Sequence, residues 1–112
     1  MVNSKRKGKR GELEAAKVLR EVLGVEARRG VQYKGTQDSP DIEIDLPIHV
    51  EVKLRERLNV YEAYQQSVSQ AGEKIPVVMC RKNRTKWLLV IAVEDIPRFL
   101  FSLQSRKTAD EK

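Results

Sequence analysis

The chain has 112 residues, of which 40% are hydrophobic and 34% charged, and carries a net charge of +6. That length suits one domain able to bury roughly two thirds of its unfolded surface, and no apolar run approaches the roughly 18 residues of a membrane span. The single cysteine, Cys80, excludes an intrachain disulfide framework and a cysteine-rich zinc site.

The start, MVNSKRKGKRGE, is basic and lacks the apolar segment of a secretory signal, so a cytoplasmic setting is expected. Lys5, Arg6, Lys7, Lys9 and Arg10 stand there with no acid among them. Such a run over residues 1–10 reads as a flexible arm, either merely solubilising or an electrostatic footprint for nucleic acid. Arg28, Arg29, Lys34, Arg81, Lys82, Arg84 and Lys86 add positive charge in expected loops and edges, which favours a polyanionic partner.

From Gly11 to Leu23 the apolar residues Leu13, Ala16, Leu19, Val22 and Leu23 recur at helical spacing, and Gly24 supplies a stop. Residues 25–28 suit a short strand, and residues 29–40, RGVQYKGTQDSP, read as a loop. DIEID and IHVEVK then alternate with the period of strands that bury one face. Ile42 and Ile44 oppose Asp41, Glu43 and Asp45 in the first, while Ile48, Val50 and Val52 oppose His49, Glu51 and Lys53 in the second. A hairpin pairing Ile42 with Val50 and Ile44 with Ile48 matches apolar to apolar and sets Asp41 opposite Glu51.

Residues 60–72 predict a second helix ending at Gly72. PVVMC, with Cys80 as a small buried apolar side chain, and KWLLVIAV predict two strands joined by the basic turn RKNRT. The near-continuous apolar character of the latter strand predicts burial on both faces. A helix over 95–104 would turn Ile96, Phe99, Leu100 and Leu103 inward, leaving 105–112 as a frayed tail. The order αβββαββα makes a single mixed α/β domain over residues 1–112, without repeats or linkers.

The chemistry concentrates on the charged face of the proposed hairpin. Two carboxylates directly opposite each other repel at a cost of up to about 1 kcal/mol, and a divalent cation between them reverses the sign. Magnesium, which takes one or two carboxylates plus waters and phosphate oxygens, suits such an open acidic edge. Lys53, on the same face, is placed to orient or deprotonate a water or to stabilise phosphate charge. The plain alternative is a solvated sheet face.

Pro40-Asp41, nine intervening residues, and Glu51-Val52-Lys53 resemble the metal-binding core of the PD-(D/E)xK nuclease superfamily. The order of elements resembles that superfamily's restriction-endonuclease-like core, a mixed central sheet flanked by helices. Over residues 6–95 the start RKGKRGELEAAKVLREVLG, then RRG, PDIEI, EVK and IPVVM, is more narrowly similar to archaeal-type Holliday junction resolvases, including phage-encoded relatives. The resemblance implies a magnesium-dependent endonuclease, with manganese able to substitute, that nicks four-way DNA junctions in symmetric pairs as a homodimer. It makes Asp41 and Glu51 metal ligands together with the carbonyl of Val52, Lys53 the catalytic lysine, and Glu12 the helix-start acid. Glu14, two residues on, would point about 200° away on a helix and cannot share that role. Gln66 matches the supporting glutamine of phage relatives, with Gln70 one turn later on the same helix face. Lys5, Arg6, Lys7, Lys9, Arg10, Arg28 and Arg29 would hold phosphates. His49, Glu43 and Asp45 read as bystanders, and RFLFSL with strand 87–93 as the candidate dimer face. Open alternatives are a flap, nicking or restriction-type enzyme and a non-catalytic DNA-binding protein.

Overall fold

A computed structural model describes residues 4–30 and 40–110, with side chains for residues 8–30 and 40–106. The elements follow the expected order: α1 (Ser4–Leu23), β1 (Ala27–Arg29), β2 (Ile42–Ile44), β3 (Ile48–Leu54), α2 (Val60–Ala71), β4 (Ile75–Arg81), β5 (Leu88–Ile91) and α3 (Ile96–Asp110). A short 3-10 turn at Val93–Asp95 leads into α3.

β3 anchors the molecule because it is buried on both sides. Its even-numbered residues Ile48 and Val50 join Ile75, Val77 and Met79 of β4 in the main core. α1 closes that core with Ala15, Ala16 and Leu19. The approach is close at Gly11, where an added Cβ would lie 3.2 Å from Leu54 Cβ. α2 covers the opposite face, with Ala63 packed on Val78 and Cys80. The fully buried Ser67 Oγ lies 3.0 Å from the carbonyl oxygens of both His49 and Val77 and fastens the helix to two strands. Asn59 caps α2 by accepting from the Glu62 N–H, and Gly72 ends it at φ +59°, where a side chain is disfavoured. The α2 crossover makes β3 and β4 parallel, and β5 returns antiparallel to β4.

Several expectations require correction. The hairpin between the second and third strands does not form: β2 pairs antiparallel with β1, while β3 takes β4. Charge favours the exchange. The expected register would oppose Asp41 to Glu51, whereas the observed one sets Arg28 opposite Glu43, with Arg28 Nε 2.7 Å from Glu43 Oε2. The first strand runs over 27–29 rather than 25–28. α1 starts at Ser4, so residues 4–10 of the expected flexible arm are helical; lysine and arginine are good helix formers.

β5 is shorter than expected and lies at one end of the β3-β4-β5 sheet. Leu88 is 61% exposed and the rest of β5 is half-buried, so the strand is not buried on both faces. α3 continues to Asp110, through most of the expected frayed tail. Phe99 and Leu103 meet the core, but Ile96 and Leu100 are exposed. Most of the expected loop 29–40, Lys34 included, lies outside the described residues, as do the side chains of Lys5, Arg6 and Lys7. No helix among the described residues is long and apolar enough to cross a membrane.

Candidate active site

Asp41 is placed by the chain on both sides of it. Immediately before β2, its carbonyl accepts from the Gly30 N–H at 2.8 Å, continuing the β1–β2 ladder by one rung. Gly30 is required there, since a Cβ would collide with the Pro40 carbonyl. The side chain turns to β3, where Asp41 Oδ2 accepts from the Val52 N–H at 2.9 Å. A carboxylate thus occupies a backbone donor that a hairpin partner would otherwise have used.

Glu51 and Lys53 alternate with the core residues of β3 and so emerge on the face beneath α2. Glu51 is only 5% exposed, and His49 Nε2 lies 3.4 Å from its Oε1. His49 lies beside Glu51, as the strand alternation placed it, and both side chains are buried. Lys53, half-buried, lines a cleft of about 60 Å³ with Arg55, Leu58, Asn59, Glu62, Ala63 and Gln66. Gln66 shares this cleft with the lysine, whereas Gln70 does not line it.

Glu12 approaches from α1. Because the helix starts at Ser4, Glu12 lies mid-helix, and stabilisation by a helix end does not account for it. Arg29 Nε donates to Glu12 Oε1 at 2.7 Å, so this arginine orients a carboxylate of the cluster. Glu14 points elsewhere, accepting from Arg81 Nη2 at 3.0 and 3.1 Å, with Arg10 Nε 3.9 Å away. Arg28 is exposed and paired with Glu43, Lys9 is exposed, and Asp45 pairs with Arg106 at 2.8 Å. Arg29 as the partner of Glu12 and Ser67 as the fastener of α2 escape sequence reasoning, whereas strand alternation already set His49 beside Glu51. The sequence hints at one of them, through the RRG that brings Arg29 and Gly30 to the end of β1.

The electrostatics tie these residues together. Burial lifts the Asp41 carboxyl from 3.8 to about 6. The Val52 N–H and Lys53 oppose that rise, while Glu51 and Glu12 reinforce it. Burial also raises Glu12, partly offset by Arg29 and reinforced by Glu51. Asp41 thus feels Glu51, Glu12 and Lys53, and Glu12 feels Glu51.

No three His, Cys, Asp or Glu side chains among the described residues form a ready metal cage. The donors nevertheless fit a hard divalent cation. They are oxygen ligands, they repel one another, and their number matches an ion that keeps several waters for itself. A chelated cation would convert that repulsion into binding energy.

A model of the phage putative PDDEXK endonuclease family matches residues 3–109, which includes every residue of this cluster. No curated protein and no solved structure shows significant similarity to the chain.

Proposed function

The chain belongs to the phage putative PDDEXK endonuclease family, and from that premise we propose that it is a magnesium-dependent DNA endonuclease acting on four-way junctions. The observation that carries the reading is the Asp41 carboxylate seated on the Val52 N–H, between Glu51 and Lys53 of the same strand, where burial first, and then the nearby Glu51 and Glu12, lift its pKa to about 6. Asp41, Glu51 and the Val52 carbonyl would hold one or two Mg²⁺ ions, or Mn²⁺ in their place, with Glu12 joining directly or through water. When bound, the metal supplies charge stabilisation at the phosphate and an acidified water.

The chain's own residues supply the rest. Lys53 presents a positive ammonium at the cleft, positioned to orient the attacking water and to balance charge on the phosphate. Gln66, across the same cleft, has both a donor and an acceptor with which to hold that water. Arg29 keeps Glu12 directed into the cluster. The basic first turns of α1, Lys5 to Arg10, would bind phosphates and position the substrate without reading its bases.

A four-way junction has near-twofold symmetry, so paired nicks call for a homodimer with two sites. Exposed Phe101 and Leu100 on α3, together with Val93 before it, offer an apolar face for that contact.

The test is a junction-cleavage assay with labels on two arms. Paired, symmetric, magnesium-dependent nicks are expected, and Glu51→Ala and Lys53→Ala should each slow them by at least about a hundredfold. Cleavage that survives both substitutions removes the catalytic assignment. Cutting of flaps or linear duplexes in preference to junctions assigns a flap, nicking or restriction-type activity, and binding without cutting leaves a non-catalytic DNA-binding protein.

A further inference from the structure

Beside the Lys53 cleft lies a larger groove of about 660 Å³, and the two share Arg55 and Leu58 along their border. Its walls are the segment that follows β3 and the turn between β4 and β5. The Asn83 N–H donates to Glu56 Oε2 at 3.2 Å and links the two walls. The turn is itself held by Thr85, whose Oγ1 accepts from the Lys82 N–H at 3.0 Å. The groove is therefore preformed.

Two chemistries coexist in it. Leu58, Val60, Cys80 and Leu88 give an apolar lining, and Arg55, Arg57, Lys82 and Lys86 are placed around it. None of those four cations makes an ion pair with a described residue; Arg81, also lining the groove, is committed to Glu14. Glu56 is the one acid in the lining, and one of its oxygens is already engaged. An occupant must therefore carry several negative charges together with flat or apolar surface.

A DNA duplex meets only half of that requirement, because its base faces are stacked inside and it offers a groove chiefly phosphate and sugar. An unpaired strand meets both. Its bases can lie on apolar side chains and on guanidinium planes while its phosphates reach the cations.

We propose that this groove binds an unpaired DNA strand adjoining the scissile phosphate, with a base on the Leu58–Leu88 lining and flanking phosphates on Arg55, Arg57, Lys82 and Lys86. This rests on the nuclease reading and narrows it to junctions whose strands open beside the cut, as base pairs can where duplex arms meet at a branch point.

The decisive measurement is fluorescence anisotropy of the full chain without metal, so that binding is read separately from cutting. The probes are a labelled thymidine oligomer and an abasic oligomer of equal length. The base-bearing strand should bind about tenfold more tightly. Leu88→Ser, at a position 61% exposed, should reduce that ratio to near unity without affecting folding. The double substitution Lys82→Ala with Lys86→Ala should weaken both oligomers alike and lower the log–log salt slope by about 1.4.

Equal affinity for the two oligomers overturns the proposal, as does competition by polyglutamate as effective as that by the thymidine strand. The two readings fail separately. Base-dependent binding in a protein that never cuts DNA leaves the groove standing without the nuclease, and cutting with no base dependence removes the groove alone.

Discussion

Asp41 is the residue at which the fold works against itself. Its carboxyl rises from 3.8 to about 6 because it is buried beside other acids, and the one backbone donor it receives does not offset this. Between those values the folded protein holds a proton that the unfolded chain has released, so stability should fall as pH rises from about 4 to about 6 and then level off. Asp41→Asn keeps an oxygen for the Val52 N–H but removes the charge. The variant should lose cleavage, lose most of that pH slope, and be more stable than the parent at pH 8 by about 1 kcal/mol in urea denaturation. Added magnesium should raise the melting temperature of the parent and leave the variant unmoved. Alternation along β3 made Glu51 and Lys53 legible as one face, but the sequence joined Asp41 to Glu51 through a hairpin that does not form, and Glu12 followed only from the family resemblance. His49 was legible beside Glu51, two residues away on the same strand face, but Arg29 was not legible beside Glu12. That contact depends on which helix lies over β1, and strand periodicity carries no information about it.

Elements show the same division. The type and order of every helix and strand followed from periodicity and turn residues, as with Gly24 and Gly72 at two helix ends. Pairing did not, because an alternating segment such as DIEID can join any strand with a matching apolar face. The observed register sets Arg28 opposite Glu43, a pairing across 15 residues of chain that avoids setting Asp41 against Glu51. The α2 crossover likewise depends on one inconspicuous hydroxyl. Ser67 is fully buried against the carbonyls of two strands, in a helix whose other polar residues are exposed or half-buried. Ser67→Ala should therefore destabilise the protein by about 1 kcal/mol, measured by urea denaturation. It should also reduce cleavage beyond what that loss of stability explains, because Gln66 is carried on the same helix. Cleavage unchanged after Ser67→Ala would show that the position of α2 tolerates the loss of this fastening.

For the molecule as a whole, the net charge of +6 gathers at the α1 start and around the groove between the post-β3 segment and the β4–β5 turn. DNA affinity should accordingly drop steeply with salt. The apolar counterpart is the α3 surface, where Phe101 is 70% exposed. Phe101→Glu should shift the mass in light scattering from dimer to monomer and convert paired nicks into single ones; an unchanged mass would place the contact elsewhere. The clasp at Gly30 makes a residue without a side chain a guardian of the acid. Gly30 donates to the carbonyl of the same residue whose carboxylate accepts the Val52 N–H, so three strands are fastened through Asp41. Any side chain at position 30 would meet the Pro40 carbonyl and move that knot, which makes the backbone here as exacting as the carboxylate it holds.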